Sequence, residues 1–243
     1  MKGKVAIVTG GGSGIGRSAV LMFSRNGAKV AIADISATGG EETAAMVKAA
    51  GGEALFVRTD VSKDADVKAM VDRTIAAFGR LDYAFNNAGV FTGLIALPEY
   101  TEEMWDKNIN TNLKGVWLCM KHEIPHMLEN GGGAIVNTSS IAGQVAFPGH
   151  YGYAASKSGV IGITKVAALE YAPSGVRVNA VCPAIIDTPM SANLLEESYK
   201  SLHPLGRFGQ PEDVAATAVW LCSDAASFIT GQILGVDGGY TLP

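Results

Sequence analysis

Thr9-Gly10-Gly11-Gly12-Ser13-Gly14-Ile15-Gly16 follows an apolar run at 5–8 and opens a helical pattern at 15–26. Strand, glycine-rich turn and helix in that order decide the fold class. Main-chain amides at such a turn, backed by a helix N-terminus, make a cradle for phosphate, and side chains there would obstruct it. Glycines at 10, 14 and 16 clear the approach and let the helix pack on the sheet. The stretch therefore reads as a dinucleotide cradle with Gly10, Ser13, Gly14, Ile15 and Gly16 as contacts, rather than as a merely flexible turn.

The same alternation continues outward from this turn. Short β-branched runs at 5–8, 30–34, 54–59, 81–85, 134–138, 176–181 and 232–236 alternate with helical patterns at 15–26, 39–50, 64–78, 101–128, 153–171 and 211–223. The runs are apolar at consecutive positions, as strands covered on both faces must be. This predicts one α/β domain over residues 1–243, a Rossmann-type doubly wound parallel sheet of seven strands. Ligands of such a sheet bind beyond the carboxyl ends of its strands.

Composition excludes several classes. A net charge of −4 argues against a nucleic-acid partner. No apolar run approaches the ~18 residues of a membrane span. The beginning, Met1-Lys2-Gly3-Lys4-Val5, enters the first strand with no room for a signal peptide. Cys119, Cys182 and Cys222 form no CxxC pair or even framework, which suits a reducing compartment, and the expected location is cytoplasmic. Charged residues make up only 17%, against a typical ~25%, and this points to surface buried between subunits.

Asp34 closes the second run, eighteen residues after Gly16. A carboxylate there accepts hydrogen bonds from adenosine ribose hydroxyls and repels a 2′-phosphate. No basic residue stands at 13, 35 or 36, and Arg17 is one turn into the helix. The expected cofactor is therefore NAD rather than NADP. Asp60 and Val61, after the third run, are the expected grip on adenine.

Tyr153 and Lys157 stand four residues apart on one helix face. A phenol of pKa ~10 is a poor base at neutral pH. A neighbouring cation favours the phenolate. Lowering the phenol by ~3 units needs about 4 kcal/mol, which one lysine and a cationic nicotinamide would have to supply together.

With Thr9-Gly10…Gly14-Ile15-Gly16, Asn86-Asn87-Ala88-Gly89, Ser140 and Tyr153…Lys157 in this order, the chain resembles the short-chain dehydrogenase/reductase family. The resemblance covers essentially the whole chain, to Val236-Asp237-Gly238-Gly239. It implies Tyr153 as general acid/base, Lys157 on the nicotinamide ribose, Ser140 orienting the substrate oxygen and Asn112 supporting a water-linked proton path to Lys157. It also implies Asn87, Ala88 and Gly89 as the floor beside the cofactor. Pro183, Ile186 and Thr188 would lie at the carboxamide end, and the assembly would be a homotetramer. Ala184 stands where the family commonly has glycine. Tyr151 and Ser139 are decoys: four residues beyond Tyr151 lies Ala155, and Ser139 alternates away from Ser140.

His122-Glu123-Ile124-Pro125-His126 matches HExxH, but Pro125 is expected to disrupt the helix that would align two imidazoles, so no metal is assigned. The substrate pocket is expected around Gln144, His150, Ala184, Met190 and Leu194, beneath a lid near 186–208. With Phe91, Leu94, Phe147 and Leu195 close in sequence to these stretches, the expected substrate is an apolar secondary alcohol or ketone, of a cyclic or aryl kind. Within the family the overall look is that of NAD-linked cyclic-alcohol and diol dehydrogenases. The competing readings are an NADPH-dependent 3-oxoacyl-carrier-protein reductase and, from another class, a non-catalytic dinucleotide-binding sensor.

Overall fold

The computed structural model describes residues 1–242. Seven strands, β1 Val5–Thr9, β2 Lys29–Asp34, β3 Ala54–Arg58, β4 Tyr83–Asn86, β5 Gly133–Thr138, β6 Val176–Pro183 and β7 Ile233–Val236, form one sheet in the order β3-β2-β1-β4-β5-β6-β7. Every neighbouring pair is parallel. The helices are α1 Gly14–Arg25, α2 Ala37–Ala49, α3 Asp64–Phe78, α4 Glu102–Asn108, α5 Gly115–Glu129, α6 Tyr151–Tyr171, α7 Glu197–Lys200 and α8 Pro211–Cys222.

Parallel strands need crossovers, and the crossovers cover both faces of the sheet. Ala6, Val8, Ala134 and Val136 face one way and pack with Ala19, Phe23, Val47 and Leu221 of α1, α2 and α8. Ile7, Ala84 and Ile135 face the other way, onto Met70, Leu118, Met127 and Val160 of α3, α5 and α6. Strand order reverses between β1 and β4, so the loops after these two strands diverge and open a crevice.

The pattern at 101–128 predicts one regular helix. The chain instead forms α4, a π turn over Ile109–Lys114, and α5. The wider turn carries Asn112, and such π turns often mark functional positions. Pro125 does not break α5, contrary to expectation: the helix continues to Glu129. Ile124 and Met127 are buried on either side of the proline, and that packing offsets the lost hydrogen bond.

Candidate active site

Thr9 joins the two sides of the crevice. Its hydroxyl accepts from the main-chain amides of Asn87 (2.9 Å) and Ala88 (3.0 Å), and the Asn87 side-chain Nδ2 donates to the Thr9 carbonyl at 3.1 Å. The glycine turn then runs directly into α1. A Cβ at Gly16 would lie 2.0 Å from the Gly10 carbonyl oxygen, so only glycine lets the helix approach the turn this closely. Gly14 has φ +49, and a Cβ there would meet Thr188 at 3.2 Å across the crevice.

The N-terminus of α1 has neither an acidic residue in its first turn nor a capping hydrogen bond from the side chain of Ser13. Its free amides and positive dipole end therefore stand open beside Ser13, Gly14 and Ile15. An uncapped helix N-terminus behind side-chain-free turns fits an anionic pyrophosphate. A nicotinamide dinucleotide thus fits the residues present, with its pyrophosphate on this turn.

Asp34 lies at the adenosine end. One carboxylate oxygen accepts from the Gly12 amide at 2.8 Å and the other from the Ser36 amide at 2.8 Å. Each oxygen keeps a further acceptor site for a hydroxyl. Arg17, one turn into α1, is committed elsewhere: it bonds Thr43 at 2.9 Å, Glu42 at 2.9 Å and the Gly12 carbonyl. Burial alone would raise the Asp60 carboxyl, but Ser62 hydroxyl and amide bonds and Lys63 hold it below its usual value.

At the other end β5 and α6 bring Ser140, Tyr153 and Lys157 together. Lys157 is buried and donates to the Thr138 carbonyl at 2.8 Å, its ammonium 5.5 Å from the Tyr153 ring centre. Burial pulls the lysine down to about 8. The same water-poor setting pushes the Tyr153 phenol up, with the Ser140 hydroxyl pulling the other way. The adjacent lysine therefore does not by itself lower the phenol. Desolvation outweighs a partner that is itself losing charge, so the phenolate needs a further positive charge beside it.

Asn112 does not reach the cleft. Its carboxamide oxygen accepts from the Val90 amide at 2.8 Å, and its nitrogen donates to the Val90 carbonyl at 2.9 Å and the Ser156 hydroxyl at 3.2 Å. It stands behind Gly89, where an added Cβ would lie 3.3 Å from the Asn112 oxygen and 3.6 Å from the Lys157 ammonium. Ser139, buried, donates to the Lys157 carbonyl at 2.8 Å and so fixes α6 to β5. Burial also pushes the Cys182 thiol up, which suits a wall rather than a nucleophile.

A cleft of about 720 Å³ runs between these ends. Of the residues singled out from sequence it is lined by Gly10, Ser13, Gly14, Ile15, Asp34, Asp60, Val61, Asn87, Ala88, Gly89, Ser140, Tyr153, Lys157, Pro183, Ile186 and Thr188, and by His150, Ala184, Met190 and Leu194. Gly16 lies behind the turn, and Asn112 behind the wall. Gln144, exposed at the end of the 3-10 turn Ile141–Gly143, does not line this cleft, and neither do Val145 and Leu195. Tyr151 is also outside, half exposed and edge-on to Tyr100.

Tyr240 was not foreseen. The turn after β7 brings it to the cleft, edge-on to Phe147 at 5.9 Å. The Gly238-Gly239 pair before it marks a tight turn, but nothing in the sequence tells where that turn points. The lid leaves and returns at one place: the Asp187 amide donates to the Gly209 carbonyl at 2.8 Å, and the Gly209 amide to the Ile185 carbonyl at 3.1 Å.

HExxH is dismantled by direction. Glu123 is wholly buried and accepts from Asn86 at 3.0 Å, while His122 pairs with Asp64 at 3.0 Å and His126 with Glu129 at 3.3 Å. Among the described residues no three His, Cys, Asp or Glu side chains are grouped to hold a metal.

Comparison with known proteins gives concordant findings. A family model described as "Enoyl-(Acyl carrier protein) reductase" matches residues 10–241. The chain is 47% identical to a 2,5-dichloro-2,5-cyclohexadiene-1,4-diol dehydrogenase of Sphingobium indicum, over 99% of this chain and 98% of the relative. It is 44% identical to a cyclohexanol dehydrogenase of an Acinetobacter species, over 98% and 95%. Among solved structures, a 3-ketoacyl-(acyl-carrier-protein) reductase from Brucella melitensis complexed with NADH superposes with TM-score 0.94 at 38% identity, covering 99% of each chain.

Proposed function

This chain belongs to the short-chain dehydrogenase/reductase family, oxidoreductases of CH–OH groups that use a nicotinamide dinucleotide, and from that premise we propose that it oxidises an apolar cyclic secondary alcohol to the ketone with NAD. The observation that carries the reading is the pairing of the two cleft ends: a carboxylate held by two main-chain amides at one, and an apolar, aromatic enclosure around Tyr153 at the other.

NAD when bound supplies the hydride acceptor and a cationic ring beside Tyr153. The chain does the rest. Ser140 holds the substrate oxygen, and Tyr153 takes its proton as the hydride leaves the carbinol carbon. Lys157, fixed by the Thr138 carbonyl, holds the ribose and keeps positive charge near the phenol. Asn112 positions the wall through the Val90 backbone and acts on Lys157 from behind Gly89. Gly10, Ser13, Gly14, Ile15, Asn87, Ala88 and Gly89 hold the pyrophosphate side and the floor. Asp60 and Val61 border adenine, and Pro183, Ile186 and Thr188 border the carboxamide. Asp34 accepts from the ribose hydroxyls, and its carboxylate repels a 2′-phosphate. That favours NAD and counts against an NADPH-linked 3-oxoacyl reductase. Phe91, Leu94, Phe147, Met190 and Leu194 support an apolar ring as substrate.

Self-association into a homotetramer is supported by apolar side chains exposed on successive helices: Trp105 on α4, Trp117 on α5, and Val166 and Leu169 (83% exposed) on α6. No helix among the described residues is long and apolar enough to cross a membrane. The test is turnover of a panel of alcohols with NAD and with NADP, followed by the absorbance of reduced nicotinamide. Cyclic alcohols with NAD are expected to exceed sugars and acyl thioesters. A tenfold preference for NADP, or for thioesters, would reject the proposal.

A further inference from the structure

The enclosure around Tyr153 contains an imidazole among its aromatic rings. Phe91 and His150 stack with centroids 5.2 Å apart and planes at 27°, and Phe91 meets Tyr153 edge-on at 5.1 Å. The His150 ring lies 6.2 Å from the Tyr153 ring and 5.3 Å from Phe147. His150 caps α6 three residues before Tyr153, so the two side chains leave the helix end on one side.

The imidazole is oriented by its own backbone. Nδ1 stands 3.0 Å from the Pro148 carbonyl oxygen. A carbonyl only accepts, so Nδ1 carries the proton and the neutral ring presents a lone pair at Nε2. Nε2 has no protein partner, and it is not sealed in the interior as His203 Nε2 is. Tyr199 and Tyr240 also border this end, but their hydroxyls donate as readily as they accept. His150 Nε2 accepts only.

We propose that His150 accepts a hydrogen bond from a second hydroxyl of the substrate, and that the chain is a dehydrogenase of cyclic diols which oxidises one of the two hydroxyls; this rests on the alcohol-dehydrogenase reading above. One hydride and one proton leave the diol per NAD reduced, and a hydroxyketone remains. For a second round that product must bring its carbonyl to Nε2, lone pair against lone pair, which rejects it by the same atom that selected the diol. Turnover therefore stops at one oxidation.

The test uses the purified full chain at about pH 8 with NAD and three substrates: cyclohexane-1,4-diol, cyclohexanol and 4-hydroxycyclohexanone. The wild type is expected to favour the diol over cyclohexanol about tenfold in kcat/KM, about 1.4 kcal/mol, and to form one NADH per diol. His150→Phe keeps the stacked ring and removes the acceptor, and should lower the diol-to-cyclohexanol ratio about tenfold. His150→Gln presents an amide that both accepts and donates, so it should retain the diol and admit the hydroxyketone. A ratio unmoved in His150→Phe, or two NADH per diol in the wild type, overturns the inference. The wild-type stoichiometry stands even if a variant fails to fold. Inertness of the wild type toward both alcohols would instead sink the proposed function itself, an outcome distinct from turnover with an unmoved ratio.

Discussion

Replacing Glu123 by glutamine is expected to stabilise the protein in mildly alkaline solution and to do little in acid. Glu123 is wholly buried, takes one hydrogen bond from Asn86 at 3.0 Å, and leaves its other oxygen without a partner. Burial holds its carboxyl at about 7 against a usual 4.5. Between those values the folded state keeps a proton that the unfolded chain releases, so stability falls as pH rises through the window and stays lower above it. Below about 4.5 both states are protonated and the group contributes nothing. At 1.36 kcal/mol per pKa unit the ionised form costs the folded protein about 3 kcal/mol. Glutamine carries no such cost. Its carbonyl still accepts from Asn86, and its amide can serve the Asn86 oxygen, which also lacks a partner. For a chain of this size about 3 kcal/mol corresponds to roughly 5–10 °C in Tm. Thermal scans of both proteins at pH 8 and pH 5 make the comparison. A gain of several degrees at pH 8 and about 2 °C or less at pH 5 is expected. Equal shifts at both pH values, or a loss at pH 8, would refute the reasoning. The result also bears on the site: Asn86 donates to Asn137 at 3.1 Å, and Asn137 precedes Thr138, whose carbonyl holds Lys157.

Two further outcomes follow from the cleft and a third from the exposed face of α6. Asp34→Asn keeps the shape but removes the charge that receives the ribose hydroxyls, so kcat/KM with NAD should fall about ten- to a hundredfold, the equivalent of ~1.5–3 kcal/mol, and the NAD-to-NADP ratio should fall with it. An unchanged ratio contradicts the role. Gly14→Val sets a branched side chain at φ +49 and into Thr188, and titration of NADH fluorescence should show binding weakened at least about tenfold. Wild-type affinity would mean that this turn does not hold the cofactor. Leu169→Arg sets a charge on the exposed face of α6, and sedimentation should show smaller species than for the wild type. A wild type that sediments as a monomer removes the tetramer altogether.

The fold was legible because each strand is apolar on both faces and each crossover helix has its own period. The strand at 134–138 and the helix at 64–78 match the structure to within a residue. What sequence concealed is three-dimensional. The regular apolar spacing at 101–128 hides the π turn that holds Asn112, since one extra residue per turn barely disturbs the pattern. Pro125 looks like a break because propensity ignores the buried Ile124 and Met127 beside it. The cradle and the Ser140, Tyr153 and Lys157 group were visible as short motifs with fixed offsets. Gln144 and Tyr240 were misjudged, one assigned to the pocket and one left out, because loop direction rather than spacing decides which residue faces the cleft. The setting of Tyr153 was legible only in part: the adjacent lysine is visible in the sequence, whereas the desolvation of both groups belongs to the folded cleft.

The most direct measurement is the rate of NADH formation from cyclohexanol by the wild type and by Tyr153→Phe. Loss of a positioned proton acceptor should lower kcat by about 10²–10⁴-fold, with the larger share of the effect in kcat rather than KM. A variant that keeps its kcat within tenfold of the wild type would show that the phenol does not take the proton.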